Sequence, residues 1–223
     1  MKQAVLILSL LLSLQVPAQD CKQFLLLQKN KTIEMSIYNK KGDIAARKVY
    51  QVSDVSTSGG TTAGNIATEM FDNKGRSIAK ANSTIQCNGG VMMMDMKMLL
   101  PQQQAEQFKT EAKAENMYLE YPAKMAAGDA LKEGNVTVDI NNGGLVSAAT
   151  IVITDRKVEG KESITTPAGT WDCYKITFKG KMTIKMGPIP IRTNLDGTEW
   201  FAPGFGVIKS ESRNGSTAIT SIK

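Results

Sequence analysis

The strongest constraint on this chain is the alternation of apolar and polar residues in separate stretches. Ile33, Met35 and Ile37 alternate with Thr32, Glu34 and Ser36; Val136, Val138 and Ile140 alternate with Thr137 and Asp139; Met182, Ile184 and Met186 alternate with Thr183 and Lys185. A repeat of two puts every second side chain on one face of a strand, so each stretch predicts a strand with a single buried face. Between such runs lie Asn39-Lys40-Lys41-Gly42, Ser58-Gly59-Gly60, Asp72-Asn73-Lys74-Gly75, Asn88-Gly89-Gly90, Asn141-Asn142-Gly143-Gly144, Asp196-Gly197 and Arg213-Asn214-Gly215. Each supplies the positive-φ residue that a tight hairpin needs. Connections this short cannot carry the crossovers of a parallel sheet, so the expected architecture is a long antiparallel meander.

Two of these turns look alike: Tyr38 to Asp43 and Phe71 to Arg76 both run from an aromatic through Asn or Asp to Gly and then a charged residue. One short helix is expected from Pro101, whose missing N–H is harmless at a helix start, with Ala105, Phe108 and Ala112 at helical spacing. It would cover part of a sheet face or one open end.

The first eighteen residues read as a secretory signal. Lys2 is the positive start, Ala4 to Leu14 the apolar run, and Val16-Pro17-Ala18 the small-residue exit. The run is well short of the ~20 residues a membrane-spanning helix needs, and no later segment is uniformly apolar, so no transmembrane segment is expected. The mature region, 19–223, is read as a single β domain, exported to a periplasmic or extracellular location. A lipid anchor on Cys21 is disfavoured, because Ala18-Gln19-Asp20 stands where small residues would be required. Loss of Lys2 leaves 26 basic against 21 acidic side chains, spread along the chain. Without an Arg-rich or aromatic-interleaved stripe, nucleic acid is not an expected partner.

An oxidising compartment permits pairing among Cys21, Cys87 and Cys173. Cys21 with Cys87 is the favoured disulfide, since it would fasten the new N-terminus to a strand. Cys173, within Trp171-Asp172-Cys173-Tyr174, reads as a small buried apolar side chain.

Histidine is absent, which removes the commonest general base, triad partner and metal ligand. The acidic residues fall mostly at hairpin tips and on alternating polar faces, and the glycine pairs do not open a helix as a phosphate-binding loop would. The expectation is a non-enzymatic protein with no cofactor, no metal site and no catalytic residue. The most unusual stretch is Val91-Met92-Met93-Met94-Asp95-Met96-Lys97-Met98. Read as a strand, it places Met92, Met94, Met96 and Met98 on one face. Flexible, polarizable thioethers suit the lining of an adaptable cavity for an apolar or lipid-like ligand. They equally suit ordinary core, and less well a soft copper(I) site, which added His or Cys would mark better.

The stretch from Glu159 to Ile176, which contains Thr166-Pro167-Ala168-Gly169-Thr170-Trp171-Asp172-Cys173-Tyr174, resembles the TapB-like group of secreted bacterial β proteins, allied to domains of unknown function. A second matching block is Glu199-Trp200-Phe201-Ala202-Pro203-Gly204-Phe205-Gly206-Val207-Ile208 through Glu211. The likeness extends upstream to Asp20-Cys21, the Tyr38 hairpin and Cys87, with Trp171 where Phe is expected. Physically the blocks read as structural corners: Pro167 presets a turn, Gly169 takes a conformation other residues avoid, Gly204 and Gly206 make a second turn, and Trp200 sets apolar area beside it. The resemblance implies an unclosed barrel or strongly curved sheet with the short helix as partial lid, similar to periplasmic lipoprotein carriers, and brings no active-site residue. Two roles follow as expectations: holding or shielding an apolar ligand in the curved sheet, or serving as a structural or assembly partner of another envelope protein through sheet-edge contacts.

Overall fold

The computed structural model describes residues 21–99, 113–142, 145–186 and 189–223. The signal at 1–18 and the helix expected from Pro101 lie outside the described residues. The strands are β1 (Thr32–Tyr38), β2 (Ile44–Ser58), β3 (Thr61–Asp72), β4 (Ser77–Asn88), β5 (Val91–Asp95), β6 (Lys113–Asn116), β7 (Tyr118–Pro122), β8 (Gly134–Asn142), β9 (Leu145–Thr166), β10 (Gly169–Met186), β11 (Ile189–Asn194), β12 (Gly197–Ala202), β13 (Gly206–Ser212) and β14 (Gly215–Ile222). Short 3-10 turns occupy Cys21–Gln23, Leu25–Leu27 and Met96–Leu99.

All fourteen strands join one sheet, and the pairing described is antiparallel throughout. The order runs β6-β8-β9-β10-β12-β13-β14-β1-β2-β3-β4-β5-β7, with β11 added beside β10. Most neighbours are hairpin partners, as turns of two to five residues dictate, and β14 meets β1, so the last strand lies beside the first. β6 and β7 form one run interrupted only at Met117, so its first half pairs with β8 and its second half with β5. The sheet thereby curls into a nearly closed barrel of twelve staves with one unsealed seam, between β7 and β8.

The two hairpin tips that look alike in sequence are alike in bonding. Asn39 Oδ1 accepts from the N–H groups of Lys41 and Asp43, and Asp72 Oδ1 accepts from those of Lys74 and Arg76. In each, the glycine takes positive φ, at 86° for Gly42 and 78° for Gly75.

The two ends of the barrel differ. At one end lie the turns at 59–60, 89–90, 167–168 and 203–205. Here the N-terminal segment folds inward: Phe24 and Leu27 join the main core, and the Cys21–Cys87 disulfide pins the segment to β4. Gly64 leaves room for it, since a side chain there would meet the Leu26 carbonyl at 2.8 Å. The opposite end carries the tips at 39–43, 73–76 and 213–214, and has no such plug among the described residues. The core between them is built from the inward rows the alternation predicts, including Val136 and Val138, together with Ile66, Ile85 and Ile151.

Candidate functional site

Inside the barrel, two lobes of about 200 Å³ each open toward the unplugged end and share Met94, Leu99, Phe178, Glu199 and Ser210 as walls. Together they reach the lower part of the roughly 300–1,000 Å³ range of small-molecule sites. Strand alternation decides what faces them. Met35 pairs with Lys48 and with Ile219, so these share a face, and one residue pair further along Ile37 and Thr217 do the same. Ser210 lies opposite both Thr217 and Glu199. The resulting lining is mainly apolar, with a polar arc of Glu199, Ser210 and Thr217 running across three strands, in which the two hydroxyls are 2.8 Å apart. Gly197 makes room for Phe178 beside it: a Cβ there would come within 2.6 Å of the Glu211 carbonyl and 3.2 Å of the Phe178 ring. A larger hollow of about 570 Å³ lies outside β2–β4, but its walls include the ion-paired Glu69 and Lys80 and are about as polar as they are apolar.

The methionine stripe divides. β5 ends at Asp95, whose Oδ1 accepts from the Lys97 N–H and starts the 3-10 turn Met96–Leu99. A continuous four-methionine strand face therefore does not form, which corrects the strand reading of residues 96–98. Burial pushes the Asp95 carboxyl above its ordinary value, against the pull of its bonds to Lys97. Met92 and Met94 remain on one face of β5 and, with Met98 from the turn, line the cavity. Met96 is fully buried elsewhere, where its sulfur lies so close to Gly134 that a Cβ at that position would clash with it.

The floor of the cavity is a buried polar cluster that alternation did not foretell. The Arg156 side chain is 0 % exposed. Its Nη1 donates to the carbonyls of Glu120 in β7, at 3.0 Å, and of Lys132 just before β8, at 2.9 Å. Arg156 thus staples the barrel seam from within, and the Lys132–Glu120 ion pair at 2.7 Å crosses it as well. Its Nη2 meets Glu199 Oε1 at 3.3 Å, and the guanidinium lies 4.6 Å over the Tyr121 ring. Tyr121 donates its hydroxyl to Glu199 Oε2 at 3.0 Å and stacks on Phe201 at 5.0 Å. Desolvation raises both acidic groups, Glu199 above the ordinary carboxylate range and Tyr121 well above the ordinary phenol; Arg156 pulls the carboxylate back down. Within this cluster Arg156 Nε has no hydrogen-bond partner.

Sequence reading missed Arg156, although a signal was there. The apolar row of β9 falls on odd positions at Ile151 and Ile153 and on an even one at Val158. Such a change of phase requires an extra residue, and the structure places it at Asp155, with φ of 50° and a shifted register against β10. The bulge turns Arg156 inward. Lys48 was missed because the inward row Ala46, Lys48, Tyr50 and Val52 is broken by a charge.

The other predicted residues occupy structural positions. Pro167 and Ala168 form the turn between β9 and β10, and Gly169 has φ of 149° against the Trp171 ring. Gly204 and Gly206 take positive φ between β12 and β13. Trp200 is buried, donates its indole N–H to Glu162, and lies between the ammonium groups of Lys175 and Lys209. Cys173 is free and buried, and burial, reinforced by Asp172 and Glu162, pushes its thiol up to about 12. Among the described residues, no three Cys, Asp or Glu side chains are grouped to hold a metal ion, and no helix is long and apolar enough to cross a membrane.

A family model described as DUF3108-like matches residues 28–223. A solved structure from Bacteroides fragilis, described as an inferred exported protein with a YmcC-like fold, superposes with a TM-score of 0.70 at 22% identity, covering 90% of this chain and 98% of that one. Another from Parabacteroides distasonis, described as an inferred lipoprotein, gives 0.72 at 23% identity, covering 92% and 100%. No curated protein matches the chain at a significant level. The likeness read from residues 159–176 and 199–211 thus holds at the level of a family of unknown function, and the finer TapB-like assignment rests on those motifs alone.

Proposed function

The chain belongs to the DUF3108-like family, and we propose that it is a non-enzymatic, exported envelope protein that holds an apolar ligand inside its barrel. The observation that carries this reading is the asymmetry of the interior. One end is filled by the disulfide-pinned N-terminal segment, while the other leads to an apolar cavity lined by Met92, Met94, Met98 and Phe178. Unbranched thioether chains re-pack around differently shaped apolar groups at little cost, which suits a carrier or shield better than a site of fixed chemistry. The absence of histidine and the pairing of Glu199 with both Arg156 and Tyr121 favour binding over catalysis. Export is supported by the N-terminal signal pattern, by the disulfide, and by the descriptions of the two solved relatives.

The test is a fluorescent apolar probe such as N-phenylnaphthylamine. The purified protein should enhance its emission saturably at one site, and Met94→Glu, which puts a carboxylate in the shared wall, should weaken binding at least tenfold while leaving the circular dichroism unchanged. Equal binding by both proteins would refute the cavity as the site.

A second reading has its own observation. β11 pairs only with β10 among the described strands, and it presents Ile189 at 76% and Ile191 at 54% exposure. Such an edge suits strand addition by an envelope protein partner, although Pro190 removes one donor from it. In-cell cross-linking from position 191 should then trap one specific neighbour.

A further inference from the structure

The lining of the cavity is electrically uneven. Glu199 is matched by Arg156 at 3.3 Å, and Glu211 by Lys209 at 2.6 Å. Lys48 is different. It points into the barrel from β2, between the inward-facing Met35 of β1 and Met70 of β3, and it forms part of the cavity wall. Among the described residues it makes no ion pair, hydrogen bond or ring contact, although eleven ion pairs form elsewhere among them. It shares this wall with Met35, Ile37 and Tyr50, and no carboxylate among the described residues pairs with it. Its neighbours on the outer face show the contrast, since Arg47 is paired with Glu34 at 2.9 Å and lies over Phe71.

We propose that the ligand is a single-chain anionic amphiphile, whose acyl tail lies along Met92, Met94 and Phe178 and whose carboxylate or phosphate head is held by Lys48. This rests on the apolar-cavity reading and names the class of ligand. Lys48 is four residues along β2 from Ile44, at the rim that carries no plug among the described residues, so a head bound there stays close to water while its tail reaches inward. The hydrogen-bonded hydroxyl pair of Ser210 and Thr217, lining the same lobe, keeps one proton free as a further donor for an oxyanion head. A neutral or cationic amphiphile would leave the ammonium uncompensated, and a cationic one would add a like charge beside it. The lobes of about 200 Å³ each fit one chain better than the several chains of a diacyl or triacyl lipid.

The experiment is calorimetric titration of the purified protein with laurate, dodecyl phosphate, dodecanol and dodecyltrimethylammonium, all below their micelle concentrations. Laurate or dodecyl phosphate should bind at least about tenfold more tightly than dodecanol, the size expected of one charge-assisted contact. Which of the two anions binds better separates a carboxylate head from a phosphate head. Lys48→Gln should bring the anions to the affinity of dodecanol without changing dodecanol itself, and Lys48→Arg should retain most of the preference. Equal affinity of the wild-type protein for anion and alcohol, or an anion preference that survives Lys48→Gln, would overturn the proposal while leaving the apolar cavity standing. Failure of all four to bind would instead remove the cavity reading on which it rests.

Discussion

Arg156 is the residue on which the most structure converges. It is wholly buried and bridges β7, the approach to β8, and Glu199 on β12. Removing one partner of a buried ion pair leaves the other charge uncompensated, so Arg156→Met should destabilise the protein by about 3–5 kcal/mol. Urea unfolding measures this, and adding Glu199→Gln to Arg156→Met should restore part of the loss because the stranded carboxylate is then gone. Gly197 makes a second prediction. Gly197→Ala would drive a methyl against the backbone carbonyl of Glu211 at 2.6 Å, a clash that strand backbone absorbs poorly, with an expected loss of about 1–3 kcal/mol. Cys173 gives a prediction about pH. Its folded-state thiol is raised from 9.0 to about 12 by burial, so the folded form favours the protonated state. The associated stability is present in full below the unfolded value and disappears as pH rises from about 9 toward about 12. At pH 8 the native protein should therefore resist iodoacetamide. After denaturation without reductant, mass spectrometry should find one alkylated cysteine, Cys173.

At the scale of elements, hairpins were the most legible part of the fold. Period-two rows and glycine turns specify both the strand and its inward face, so Ile33, Val136 and Val138 are buried where the pattern puts them. The repeated Asn39 and Asp72 tips show how few residues define a corner: one side-chain oxygen accepting two N–H groups, and one glycine at positive φ. Phase errors were not legible residue by residue. The bulge at Asp155 and the early end of β5 at Asp95 each reverse or stop an alternation that would otherwise continue. Both depend on long-range pairing, which local pattern does not contain. The N-terminal plug is an element held by one covalent bond across a sequence separation of 66 residues. Cys21→Ser combined with Cys87→Ser should cost roughly 4 kcal/mol by loop-closure entropy. It should also speed hydrogen exchange at Phe24 through Leu27 more than in the hairpins of β8 to β10.

For the whole molecule, closure was the part of the architecture that strand pattern left open. Fourteen antiparallel strands can form an open curved sheet or a barrel, and the difference lies in β14 meeting β1 and in the single β6–β7 run serving both ends of the sheet. Neither is visible in periodicity, because a strand's pattern reports its buried face and not its neighbours. The candidate site was half legible for the same reason. Met92 and Met94 announced an apolar wall, whereas Arg156 and Glu199 pair, and Lys48 comes to line the same interior, only because the barrel brings together strands distant in sequence. Among the described residues one end of the barrel carries no plug, which leaves the interior reachable there, as the proposed role of carrier or shield requires. Native mass spectrometry of the protein isolated from its own host without added detergent tests this most directly. A fraction should carry a bound species with the mass of one acyl-chain molecule, released by organic solvent and absent from Met94→Glu. The bare protein mass alone from repeated preparations, with an interior that also refuses laurate and the fluorescent probe, would rule out a ligand-holding barrel.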